Sequence, residues 1–249
     1  MAKQERAGRT RQAVLLAAAH TFADAGFEAA SLVDISTRAG VSKGALYFHF
    51  MSKQALADGV RVAAWRVIAS ALLRSRREEG PAVQSLLDLA QQLAGLLRDD
   101  IVVRAGVQLG HPGPGGTGAP YSGGELMGVS WRAWTVMMRG HLDRASAAGE
   151  LRAGLGSQES AELLTTVAAG LVLRSRVDST VLGREAVGGV LGTALPALVP
   201  AEHCARYLTD GSGRAAASCP AAGTGTGTDT DTDTGTGTGA GVVAGADAG

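Results

Sequence analysis

The chain has 249 residues, 45% of them hydrophobic, which is enough for one large or two small packed domains. Lys plus Arg and Asp plus Glu number 23 each, so net charge does not advertise a polyanionic partner, and Cys204 and Cys219 lack metal-ligand or redox spacing. No apolar run approaches the roughly 20 residues of a membrane span, and MAKQERAGRTRQ is no secretory leader, so a reducing, cytoplasmic setting without membrane attachment is expected.

Alternating β-branched and aromatic runs are absent, and Ala, Leu and Arg recur at helical spacing, so the expected fold class is all-α. A first helix is predicted from about Arg6 to Ala25, with Val14, Ala17, Ala18 and Phe22 on one face and Gly26 as its stop. Ser31 suits the N-cap of a second helix, which holds Leu32, Ile35 and Ala39 inward and ends at Gly40. Ser42 caps a short third helix, Lys43 to Phe50, and a long fourth runs from Lys53 to about Arg77. After the Gly80-Pro81 break come helices near 82–98 and 100–109, then a loop by composition at His111–Gly124. Helices resume at about 125–148, 157–178 and 183–199. The GTGTGTDTDTDTGTGTG tail has almost nothing apolar to bury and reads as disordered from Gly211 on. The expected organisation is thus a head at 1–53, a linking helix at 53–78, a helical body at 80–210 and a low-complexity tail at 211–249.

Residues 1–53 hold seven basic against four acidic residues, an excess of three concentrated in Lys3, Arg6, Arg9 and Arg11. Two short helices joined by a tight Gly-containing turn, with a third before them, make a helix-turn-helix, whose second helix enters the major groove of DNA. Here that helix is SKGALYFHF, Ser42–Phe50. Lys43, Gly44 and Ala45 leave room for base edges at its tip. Tyr47, His49 and Lys53 offer polar ends to phosphate, and Ser31 and Ser42 cap the two helices beside the backbone. Leu46 and Phe50, four apart, point to the core.

The stretch from Thr10 to Leu56, above all GVSKGALYFHFMSKQAL, resembles the TetR family of bacterial repressors, with Tyr47, His49, Phe50 and Lys53 matching its Tyr-x-His-Phe-x-x-Lys pattern. The resemblance implies duplex operator DNA as partner. In the body, Met127, Trp131, Trp134 and Met138 fall on one helical face and either line an apolar cavity or fill a core. VVRAGVQL (Val102–Leu109) and a Trp followed by LDRASAAGEL (Leu142–Leu151) resemble the γ-butyrolactone receptor branch of that family. That likeness implies a diffusible lactone, furan or butenolide as ligand, control of antibiotic synthesis, and Trp134 as the pocket tryptophan. The contact set it implies is Trp65, Val107, Met127, Trp131, Trp134, Met138, Thr165 and Thr166. The branch's ligand-facing Gln and Thr fall here at Ala64 and Ala168. A pseudo-receptor answering to antibiotics or biosynthetic intermediates, or a ligand-independent DNA-binding regulator, stays open beside this reading.

Leu163, Leu164, Val167, Leu171 and Val172, followed by Val187, Val190, Leu191 and Leu195, make two helices apolar on more than one face. A homodimer on a palindromic operator is therefore expected. His20, His49, His111, His141 and His203 are scattered without metal spacing, and the Gly-rich loop lacks the Lys-Ser/Thr of a phosphate loop. No catalytic residue, metal or cofactor is expected, and the chain does not read as an enzyme.

Overall fold

A computed structural model describes residues 2–76, 79–109 and 131–212. It is built of α1 (Ala2–Ala29), α2 (Leu32–Arg38), α3 (Lys43–His49), α4 (Lys53–Ser75), α5 (Ala82–Asp99), α6 (Ile101–Leu109), α7 (Trp131–Ala147), α8 (Ser157–Ser175) and α9 (Arg184–Leu198). Single 3-10 turns follow at Ser179–Leu182 and Ala201–Arg206. The fold is all-α, with no strand among the described residues. The expected loop at His111–Gly124, Met127 and the tail beyond Ser212 lie outside the described residues.

Element ends follow local chemistry. Gly26 breaks the first helix as expected, at φ 80° and ψ 170°, but one further helical turn carries the chain to Ala29. The helix placed at 157–178 stops at Ser175, because the Asp178 carboxylate accepts from the Thr180 N–H at 2.9 Å and its hydroxyl at 2.6 Å, opening the 3-10 turn instead. Glu150, just past α7, caps α5 from a distance: its two oxygens accept from the Ala82 and Val83 N–H groups, each at 2.8 Å. The segment after α9 lies against α5, where Gln84 bonds the backbone of Leu208 in both directions, and Gln91 donates to the Thr209 carbonyl.

Two hydrophobic cores result. One, in the head, gathers Val14, Ala18, Phe22, Ile35, Leu46, Phe50, Leu56 and Val60 from α1 to α4. The other, in the body, gathers side chains of α4 to α9, including Ile68, Leu86, Val103, Met138, Leu142 and Leu191. The division expected at residue 80 is crossed by α6. Ala105 and Leu109 belong to the head's core, whereas Val103 and Val107 belong to the body's. The crossing depends on Gly106, where a Cβ would sit 2.3 Å from the Ala64 Cβ and 3.4 Å from the Val60 carbonyl oxygen. With no side chain between them, α4 and α6 meet backbone to side chain.

Candidate nucleic-acid interface and ligand cavity

The head presents α3 on its surface. Ser42 Oγ accepts from the Ala45 N–H at 3.1 Å and Ser31 Oγ from the Val33 N–H at 3.1 Å, so both serines hold the starts of α3 and α2. Leu46 and Phe50 are buried, which turns the other side of this two-turn helix outward. Lys43 and Gly44 are exposed, Ala45 is half-buried, and Tyr47 is 40% exposed with the Lys43 ammonium 6.0 Å from its ring centroid. His49 is half-buried and lies edge-on to Phe48.

Lys53 sits elsewhere. Its ammonium donates to the carbonyls of Glu28 at 3.0 Å and Ala30 at 3.2 Å and stands 4.7 Å from the Phe27 ring centroid. Named from sequence as a phosphate contact, in this structure it ties the end of α1 to the start of α4. The sequence reading also passed over Phe48 and Met51, 81% and 83% exposed, and Val33, 52% exposed. Three large apolar groups left in water on the head are costly unless something covers them. The available signal was the phase of α3: with Leu46 and Phe50 inward, Phe48 has to point out.

The body encloses an apolar cavity of about 120 Å³. Its wall comes from α5 (Val83, Leu86, Leu93), α6 (Val103, Val107), α7 (Trp134, Met138), α8 (Ala168, Leu171) and α9 (Leu191, Leu195) among others. Of the ligand set expected from sequence, Val107, Trp134 and Met138 line it. Trp65 packs on the body core without reaching the lining. Thr165 is buried but shares a 3.0 Å hydrogen bond with Thr135 and donates to the Ala161 carbonyl at 2.7 Å. Thr166 is exposed and donates back to the Glu162 carbonyl. Trp131 starts α7, with its side chain outside the described atoms, and Met127 lies outside the described residues. Ala168 does line the cavity, whereas Ala64 is pressed onto Gly106 of α6 rather than facing the cavity. The walls given by α5 and α9 were not singled out from sequence, because an amphipathic stripe looks the same whether it closes on neighbours or on a void.

One polar atom stands out. The Trp134 Nε1 is buried and has no hydrogen-bond partner among the described residues. A buried N–H without an acceptor is a standing cost unless a ligand supplies one. Further along α7, His141 is fully buried, with Nδ1 3.2 Å from an Arg144 amino nitrogen. Burial, helped by the nearby Arg144 and Arg76 charges, lowers its pKa from 6.5 to about 4, so the imidazole is neutral at pH 7. Among the described residues no cluster of His, Cys, Asp and Glu could hold a metal ion, and no helix is long and apolar enough to cross a membrane.

A helix-turn-helix head joined to a helical body with an internal cavity is the architecture of a regulator, and comparison with known proteins agrees. Residues 14–60 match the model of the bacterial regulatory proteins of the tetR family. A full-length TetR regulator from Streptomyces fradiae, TylP, is 31% identical, with 81% of this chain and 92% of that one covered and a TM-score of 0.62. The chain belongs to the TetR family of bacterial regulatory proteins. Within that family it is related to the γ-butyrolactone receptors. The A-factor receptor protein of Streptomyces griseus is 35% identical over 179 residues, 72% of this chain, and a γ-butyrolactone receptor structure is 26% identical at a TM-score of 0.68 over 85% of this chain and 97% of that one. The match spans 59% of the A-factor receptor's length. These relatives are transcriptional regulators, not enzymes.

Proposed function

We propose that this protein is a ligand-responsive transcriptional repressor: a homodimer that grips a palindromic operator with two copies of α3 and releases it when an apolar signal enters the body cavity. The observation that carries this reading is the double membership of α6. Val103 and Val107 line the cavity, while Ala105 and Leu109 on the same helix are built into the head's core. A ligand that pushes on two of these side chains moves the other two. Gly106 leaves no slack against α4, so the displacement passes to the helix that carries the head.

Base edges are read by Lys43, Gly44 and Ala45, with Tyr47 and His49 beside them on phosphate. Phe48 and Met51 supply apolar surface of the kind that meets thymine methyl groups. Pairing falls to α8 and α9; the outer face of α8 shows Leu163 and Leu173 to solvent, and Val177 just beyond it is exposed as well. Two heads spaced roughly 34–36 Å apart read successive turns of one groove. Ligand need only bind the releasing conformer more tightly than the DNA-competent one; a hundredfold operator loss asks for about 2.7 kcal/mol of differential affinity. The proposed signal is a γ-butyrolactone or a related furan or butenolide, and the proposed process is antibiotic synthesis, on the strength of the relatives' names.

The interface is tested by selecting duplexes from a randomised pool with the full chain and measuring affinity by fluorescence anisotropy. Lys43→Ala and Tyr47→Ala should each weaken the selected duplex at least fivefold, with helical content and melting temperature unchanged. Unaltered affinity in both variants would show that α3 does not lie on DNA.

A further inference from the structure

We propose that the strap formed by residues 207–212 is a latch on the seam between α5 and α9, and that this seam is the passage by which a signal enters and leaves the body cavity. This rests on the reading of that cavity as the signal's site and adds the route to it.

Both helices give their inner faces to the cavity, Leu86 and Leu93 from α5 and Leu191 and Leu195 from α9. On the outside of the same two helices the chain returns as an extended segment and joins them. Gln84, Asp88 and Gln91, on one face of α5 by their spacing, read its backbone. The Gln84 carboxamide accepts from the Leu208 N–H at 2.8 Å and donates to the Leu208 carbonyl at 3.0 Å. Gln91 donates to the Thr209 carbonyl at 2.8 Å and to the Arg184 carbonyl, at the start of α9, at 3.0 Å. The buried Asp88 carboxylate accepts from the Ser212 N–H at 2.6 Å and from the Ser212 hydroxyl. Gly211, at φ 85°, makes the turn that brings Ser212 onto it.

On the other side of the seam α9 presents glycine. A Cβ on Gly188 would overlap the Asp210 carboxylate, and one on Gly192 would touch Thr209. The strap thus occupies space that side chains of α9 would otherwise fill. The seam is closed from outside by a segment that can leave, rather than by groups rooted in the two walls. Its hold is polar, with Leu208 and Asp210 exposed. Hydrogen bonds of this kind are exchanged for bonds to water at little net cost, so the strap opens without either core coming apart. None of residues 207–212 lines the cavity. A latch outside the wall touches the signal neither before nor after entry, so it alters the barrier in both directions and leaves the equilibrium where it was. A strap that only braced the wall would change affinity instead.

Gln84→Ala removes both bonds to Leu208, and Ser212→Asp sets a second carboxylate against Asp88. Both are made in the full chain, with circular dichroism to certify the fold and amide exchange at Leu208 to Ser212 to report the strap itself. Entry and exit are followed by stopped flow with N-phenyl-1-naphthylamine, an apolar dye that brightens out of water. Each variant should speed association and dissociation together, by about threefold or more alone and about tenfold combined, with affinity within about twofold of the parent's. Rates that stay put although the strap amides exchange faster overturn the inference. So does faster exit alone with affinity lost in proportion, or a strap whose exchange neither variant accelerates. In those cases the cavity still takes the dye. If the dye does not bind the parent, or binds as tightly after Ala168→Phe fills the cavity, the reading of the cavity as a ligand site fails and the latch with it.

Discussion

Replacing Gly106 by alanine places a methyl group where α6 crosses α4. The new Cβ would stand 2.3 Å from the Ala64 Cβ, with the Val60 carbonyl oxygen at 3.4 Å and the Arg61 Cα at 3.6 Å. Carbon atoms rest at roughly 3.5–4.0 Å, so the helices have to part by more than about 1 Å at this point. Rotation offers no escape, because backbone atoms close the other directions. Overpacking of this kind costs about 1–3 kcal/mol, which for a fold of this size lowers the melting temperature by roughly 2–4 °C per kcal/mol. Urea unfolding at fixed protein concentration measures the loss. Ala64→Gly removes the struck atom, at about 1 kcal/mol of its own in a helix interior, so the double variant should be more stable than the sum of the singles by about 1 kcal/mol or more. Because Leu56, Ala57 and Val60 of α4 lie in the head's core, the same displacement should weaken operator binding in Gly106→Ala and spare it in the double variant. Stability within about 0.5 kcal/mol of the parent, or strict additivity of the pair, would refute the close crossing and with it the route from cavity to head.

Lys53→Met keeps the aliphatic stem but loses the two carbonyl contacts at Glu28 and Ala30, so the head should lose about 1–3 kcal/mol, seen as faster amide exchange across α1 to α3; unchanged protection would mean the ammonium holds nothing. His141 is neutral when folded and titrates near 6.5 when unfolded, so only the unfolded chain takes up a proton as pH falls from about 6.5 toward 4. Stability is therefore complete above pH 6.5, and about 2 kcal/mol should disappear between pH 7.5 and 5. His141→Gln should flatten that part of the pH profile, and a variant with the parent's slope contradicts the assignment. Glu150→Ala strips the acceptors from the Ala82 and Val83 N–H groups and should cost about 1–2 kcal/mol by denaturant unfolding, whereas a neutral effect would show that water caps α5 equally well.

The head could be read from sequence because its constraints are local. Serine caps at Ser31 and Ser42, the stop at Gly26 and the i, i+4 pair Leu46 and Phe50 each state their role within a few residues. Lys53 could not, since its partners lie 23 and 25 residues upstream and only the packed fold brings those carbonyls to it. The body was legible as helices, and Val107, Trp134 and Met138 were named, but Thr165 and Thr166 were placed by likeness alone. Whether a threonine faces a cavity depends on the rotation of α8 against its neighbours, and Thr165 meets Thr135 on α7, a partner no window along α8 contains. The crossing at Gly106 was hidden for the same reason: a glycine in a helical run reads as a weakness until the neighbouring helix is seen against it.

Coupling between the two ends of the molecule is measured most directly as a closed cycle. The affinity of the full chain for its selected duplex is determined with and without saturating γ-decalactone, and the affinity for γ-decalactone with and without saturating duplex. A repressor released through α6 should lose operator affinity at least tenfold on filling the cavity, and lose lactone affinity by the same factor on binding DNA. Equal lactone affinity in the free and DNA-bound protein would contradict release by ligand, however tightly each partner binds alone.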